Sequence, residues 1–214
     1  MHFFHILFVV ATLFLEEIFG HGMLLEPPNR SALWKFYPVD NHRVVPNYDL
    51  TGIFCGGYSM QWDRFKGKCG VCGDPYNAPH PQPNENTGKH GKYGPVRSYG
   101  SGSVINVKVQ LTANHRGKFR YSLCVLDDPS KPESGEHCFK PLKLADGREE
   151  YKIGAGERII HNSLKLPDGL RCNRCVLRWE YIAGNNWGTC PDGRGKLGCG
   201  PQETFRNCAD IKIQ

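Results

Sequence analysis

The sequence has no long hydrophobic run. Its one extended apolar stretch, Ile6–Leu15 (ILFVVATLFL), is ten residues long, about half of what a helix needs to cross a bilayer, so no membrane-spanning segment is expected. Lys and Arg are missing from the first twenty residues, and nowhere do they gather into a long run or a basic helix. The positive surplus therefore reads as a solvated surface, and nucleic acid is not expected as a partner. No internal repeat and no long amphipathic helix is visible, which argues against a helical fold. Cysteine is absent before Cys55, and the C-terminus has no apolar tail, so no lipid anchor is expected there.

What is there divides the chain in two. Residues 1–20 put the short apolar run where the central region of a signal peptide belongs, with Gly20 acceptable at the cleavage position although Ile18 is not small. Residues 21–214 read as one domain, and the hydrophobic content of 39% is enough for a real core. The formal charge is +6; the first twenty residues hold Glu16 and Glu17 and no base, so the mature chain carries +8. Ten cysteines, all between Cys55 and Cys208, form an even set behind a leader, which fits an oxidising compartment and a secreted, extracellular protein.

Cleavage after Gly20 leaves His21 as the first residue, followed by Gly-Met-Leu-Leu-Glu-Pro-Pro. An N-terminal histidine can chelate one metal through its α-amine and its own Nδ1, because an amine of pKa roughly 8 gives up its proton to a metal near neutral pH. One further imidazole completes three nitrogens in a plane, a donor set that favours copper. Cleavage one or two residues away would leave His21 an ordinary surface residue.

Val104–Leu111 (VINVKVQL) and Lys118–Leu126 (KFRYSLCVL) alternate apolar and polar residues as strands do. They form either a hairpin or two strands joined across the end of a sandwich. Further strands are expected over Arg158–His161, Cys175–Ile182 and Ala209–Ile213. The fold class that follows is mainly β: an antiparallel sandwich of immunoglobulin or fibronectin-III type. Between Leu50 and Gly102 lie eleven Gly and five Pro in 53 residues, too many for regular sheet or helix. With Cys55, Cys69, Cys72, Phe54, Trp62 and Phe65 as staples and anchors, this segment reads as an ordered, disulfide-pinned loop region.

Two CxxC motifs, Cys69–Cys72 and Cys172–Cys175, suggest a four-cysteine zinc site, but they lie about a hundred residues apart behind a leader, and five disulfides of unassigned pairing are preferred. Gly193–Gly198 matches a dinucleotide fingerprint only by letter, since Cys190, Pro191, Cys199 and Pro201 surround it. Asn29-Arg-Ser31 is a glycosylation sequon whose use the sequence leaves open. Among the histidines after the leader, which include His42, His137 and His161, His115 stands out because it lies in a turn straight after the clearest strand, where a side chain can be held rigidly.

His21-Gly, Thr112-Ala-Asn-His115-x-Gly and Gln202-Glu-Thr-Phe205-Arg-Asn-Cys208-Ala-Asp-Ile211 together resemble the lytic polysaccharide monooxygenases, most nearly the animal, insect-rich auxiliary-activity family fifteen. Cys55-Gly-Gly and Lys68-Cys-Gly-Val-Cys-Gly-Asp74 resemble the same group, and the likeness runs through residues 21–214. The resemblance implies a copper-dependent catalytic domain. One copper ion is held by the His21 amine and Nδ1 and by His115 Nε2. Phe205 stands at the axial position, where many of these enzymes carry Tyr, and Ala113 is the small residue on the other axial face. Glu203 is the polar residue beside the oxygen-binding position, its alternative being a plain surface carboxylate.

The implied reaction has a reductant take Cu(II) to Cu(I) and O2 or H2O2 supply an oxidant that abstracts hydrogen at C1 or C4 of a glycoside, after which the chain breaks. The implied partners are an insoluble polysaccharide, with chitin ahead of cellulose, and a small-molecule or protein reductant, the enzyme acting as a monomer. Trp34, Tyr37 and Tyr58 are candidates for sugar contact by residue type, with ordinary packing as the alternative. A non-catalytic chitin-binding or copper-binding matrix protein on the same fold is the alternative function.

Overall fold

The computed structural model describes residues 21–37 and 44–214. The leader and His42 lie outside the described residues. The strands are β1 (His21–Glu26), β2 (Arg97–Tyr99), β3 (Val104–Ala113), β4 (Lys118–Val125), β5 (Lys140–Leu142), β6 (Tyr151–Lys152), β7 (Ile159–Lys165), β8 (Cys172–Ile182), β9 (Trp187–Thr189), β10 (Gly195–Leu197) and β11 (Thr204–Ile213).

One sheet has the order β1-β3-β7; the other runs β2-β11-β8-β4-β5, with β6 also on β4. All pairs are antiparallel except β2 with β11. Since β3 and β4 belong to different sheets, the turn between them crosses the end of a sandwich and is no hairpin. The alternation in β3 sends Ile105, Val107, Val109 and Leu111 inward, against Phe119, Tyr121, Leu177, Trp179, Tyr181, Phe205 and Ile211 of the facing sheet.

In β8 alternation fails: Cys175–Trp179 are all buried. Their outward side is covered by the Gly/Pro-rich segment, where Val71 and Cys72 pack with Cys124, Phe139, Val176 and Cys208. Disulfides join Cys55 to Cys69 and Cys72 to Cys208, the second pinning this segment directly to β11. The others are Cys124–Cys138, Cys172–Cys175 and Cys190–Cys199. With no free cysteine among the described residues, no thiolate remains for zinc.

The loop region does hold two regular pieces that its Gly and Pro content excluded. A π-helical turn spans Ser59–Arg64, in a stretch free of both residues, and β2 is formed where Arg97–Tyr99 meets the open edge of β11. A cation cluster locks the N-terminal strand to the sheet: buried Arg30 donates to Asp210 at 2.7 and 2.9 Å and to Glu133 at 2.7 Å. Asn29 is buried, and its amide donates to the Leu24 carbonyl at 2.8 Å while its oxygen caps Ala32 N at 3.1 Å. The sequon nitrogen is thus occupied within the fold.

Candidate metal centre

His21 opens β1 with its Cα opposite Ala113, and the register slips between His21 and Gly22, which pairs with Leu111. Thr112 is therefore an extra residue, a bulge of the kind that re-aims side chains at a strand end, and its Oγ1 donates to the His21 carbonyl at 3.4 Å. Close packing explains the glycine after the histidine: a Cβ at Gly22 would lie 2.7 Å from Leu111 Cδ2 and 3.1 Å from Trp179 Cη2.

Two residues beyond Ala113, half-buried His115 sits in the crossing to β4. Its backbone N–H donates to the Tyr181 hydroxyl at 2.9 Å, and its carbonyl accepts from Gly184 N at 3.0 Å. Its Nδ1 lies 2.7 Å from Asn185 Nδ2. Burial first, and then the neighbouring His21 ring, push the His115 imidazole below its ordinary pKa against the pull of the Asn185 hydrogen bond. The ring is thereby neutral at physiological pH, with a nitrogen lone pair available to a metal.

No three His, Cys, Asp or Glu side chains converge among the described residues. Two imidazoles instead lie near enough for one to act electrostatically on the other, and a third nitrogen can come from the α-amine that cleavage would create on His21. A site of nitrogen donors without thiolate fits copper.

Phe205 is fully buried and stacked between Phe54 (centroids 5.7 Å apart) and Tyr181 (5.5 Å), with its ring tilted 6.5 Å from that of His21. It presents carbon to the site and no oxygen. Glu203 is only 5% exposed, unlike a plain surface carboxylate. Its charge adds to burial in pushing the Tyr181 phenol up to about 12.

The candidate sugar contacts separate. Tyr58 lies four residues after Phe54, which stacks on Phe205. Trp34 packs beside Met23, Ala32 and Leu50 and donates to the Asn47 carbonyl at 3.2 Å. Tyr37 is held by Arg97, which also pairs with Glu26; Glu26 ends β1, five residues from His21 and so about 17 Å along the strand. The structure does not bring Tyr37 to the histidines.

Sequence reasoning passed over an exposed aromatic close to Asn185 in the chain. Trp187 is 70% exposed and pairs across the β9–β10 hairpin with Leu197, 57% exposed. It lies two residues from Asn185, and its signal was a tryptophan embedded in turn-forming letters, Asn-Asn-Trp-Gly. The Cys190–Cys199 bridge closes the hairpin. Gln202 clamps its base: the side chain accepts from Asn186 N at 3.0 Å and donates to the Asn186 and Cys199 carbonyls at 3.0 and 2.7 Å.

A family model described as lytic polysaccharide mono-oxygenase, cellulose-degrading, matches residues 21–211. Among solved structures, the chain is similar to a lytic polysaccharide monooxygenase of type AA15 from Thermobia domestica in the Cu(I) state. The two share 43% identity over 90% of this chain and 98% of that one, with a TM-score of 0.84. A cellulose-active relative, CelS2, in complex with copper, and an enzyme from Micromonospora aurantiaca are more distant. They are 16% and 12% identical over 90% of this chain and 98% and 99% of theirs, both with a TM-score of 0.48. No curated protein matches the chain. No helix among the described residues is long and apolar enough to cross a membrane. The family match over nearly all of residues 21–214, joined to the likeness to the Thermobia enzyme, means that this chain belongs to the lytic polysaccharide monooxygenases and is a copper-dependent polysaccharide monooxygenase.

Proposed function

We propose that the chain is secreted, that residues 1–20 are removed as a signal peptide, and that residues 21–214 cleave crystalline chitin oxidatively. The observation that supports the reading is that His21, at the first position of β1, lies opposite Ala113 at the bulged end of β3, two residues before His115, and that its ring acts electrostatically on the His115 imidazole. The family match also begins at residue 21. In the mature chain the His21 amine and Nδ1 and the His115 Nε2 hold copper. The chemistry a bound copper supplies is reductant-dependent activation of O2 or H2O2 toward a glycosidic C–H bond.

The chain's own residues do the rest. Phe205, tilted beside the His21 ring, and Ala113, opposite His21, would offer a bound copper carbon and no further ligand atom. Glu203, buried beside Tyr181, holds and steers protons next to the site. Half-buried His21 and His115, with exposed Thr112, Arg116 and Asn185 against them and exposed Trp187 two residues beyond Asn185, suit a flat, insoluble substrate, and the Trp187 ring offers a sugar-stacking face. A positive chain gains no Coulombic attraction from neutral chitin, so docking rests on such contacts.

The cellulose-degrading description of the family model favours cellulose as the second reading. Copper-loaded protein beginning at His21 is incubated with β-chitin and with cellulose plus ascorbate, and products are read by mass spectrometry. Oxidised chito-oligosaccharides are expected. Oxidised products from cellulose alone would replace the substrate assignment, and none from either polymer would leave a binding protein on this fold.

A further inference from the structure

The contact between Asn185 and His115 has a direction, and the ligand role of His115 fixes it. A neutral imidazole carries one ring proton. With that proton on Nε2, Nδ1 accepts and the carboxamide presents Nδ2. With the proton on Nδ1, the ring donates and the carboxamide must present Oδ1. In the structure the amide nitrogen Nδ2 is the nearer atom, 2.7 Å from Nδ1, and a half-turn of the amide exchanges the two senses without moving the loop. Only the second leaves the Nε2 lone pair for a metal.

We infer that Asn185 is a positioning residue: its Oδ1 accepts from His115 Nδ1–H and holds the ring in the tautomer whose Nε2 binds copper. This rests on the site reading above, in which His115 ligates through Nε2.

The surroundings are built to keep the amide in place. The loop bearing Asn185 touches the His115 turn backbone to backbone, with Gly184 N donating to the His115 carbonyl at 3.0 Å. The approach requires glycine on both sides. A Cβ at Gly117, where φ is +81°, would lie 2.1 Å from the Ile182 carbonyl oxygen, and one at Gly184 would lie 2.9 Å from Gly117 N. On the far side of Asn185, Gln202 makes its three hydrogen bonds to Asn186 and Cys199 while only 3% exposed. The backbone that carries the carboxamide is therefore anchored on both sides of Asn185, with the amide in reach of Nδ1.

The test uses mature protein beginning at His21 and two variants. Asn185→Leu keeps the bulk and removes the hydrogen bond; Asn185→Asp can only accept at neutral pH. Copper(II) affinity is measured by competition with a chelator, together with the Cu(II) EPR spectrum and the Tm of the metal-free protein. Asn185→Leu is expected to weaken binding by about ten- to a hundredfold and to change the EPR hyperfine pattern, with the metal-free Tm unmoved. Asn185→Asp is expected to bind at least as tightly as the wild type.

Wild-type affinity and spectrum in Asn185→Leu would overturn the positioning role. A loss in Asn185→Asp as deep as in the leucine variant would overturn the acceptor assignment. His115→Ala forms a separate arm. If it binds copper like the wild type, the site reading itself falls and takes the inference with it, whereas normal loss in His115→Ala with a silent Asn185→Leu refutes the inference alone.

Discussion

Replacing Tyr181 by Phe removes one oxygen and leaves the aromatic stack with Phe205 and Trp179 in place. That oxygen accepts the backbone N–H of His115 at 2.9 Å. A buried N–H left without an acceptor costs about 1–3 kcal/mol. His115 is half-buried, so water reaches part of the vacated position and the lower part of that range applies, about 1–1.5 kcal/mol. For a domain of this size the loss corresponds to a Tm lower by about 3–5 °C. The phenol titrates only near about 12, so the deficit should be the same at every pH from about 5 to 9.

The same variant frees the turn that carries a proposed metal ligand. The stabilisation that copper brings grows as RT ln(1 + [L]/Kd), so a tenfold weaker site shrinks it by about 1.4 kcal/mol at equal copper. Calorimetric unfolding of the mature protein with and without copper reads both effects. A lower metal-free Tm and a smaller copper-induced rise are expected. An unchanged metal-free Tm would refute the value assigned to the hydroxyl bond. An unchanged copper-induced rise would refute the link from the aromatic core to His115.

Trp187→Ala should reduce binding to chitin, since one lost aromatic contact of about 0.5–1.5 kcal/mol is roughly a two- to tenfold change in affinity, while the copper-induced rise in Tm stays as in the wild type; equal retention of both proteins on chitin would exclude this ring from docking. Asp74 supplies a pH test remote from the metal. Burial pushes its carboxyl up to about 6, despite donation from Asn84 N and Nδ2. Because the folded pKa lies above the unfolded one, its contribution is fully present below about pH 4 and is lost as pH rises through about 6, a change of about 3 kcal/mol at 1.36 kcal/mol per unit. Denaturant titrations between about pH 4 and 7 should show the wild type losing that much relative to Asp74→Asn; parallel curves would show that the carboxyl titrates normally.

Strands with one covered face were legible as alternation, and Val104–Leu111 is the clearest case because solvent lies on its other side. β1 was not, since Met23 and Leu24 are both buried, under the Leu50 loop on one side and the sandwich core on the other. The loop region's order was legible from its cysteines and aromatics, but not the partners. Cys72 and Cys208 stand 136 residues apart, and no local pattern encodes which distant sulfur the packed sheet brings near.

The sequence by itself determined the chemistry on offer: a histidine after a short apolar run, a second histidine in a turn after a strand, a phenylalanine with no oxygen to give, and an even set of cysteines. These are properties of single residues and short spacings, which a chain carries before it folds. Only the tertiary structure decided which groups meet. The bulge at Thr112 sets His21 opposite Ala113, two residues before His115, Tyr181 and Asn185 reach the same histidine from a strand and loop some seventy residues away, and the disulfide-closed hairpin leaves Trp187 exposed. Such contacts depend on sheet pairing and core packing over the whole chain, and that is why residue type alone named Trp34, Tyr37 and Tyr58 without showing that Arg97 holds Tyr37 or that Trp187 stands exposed.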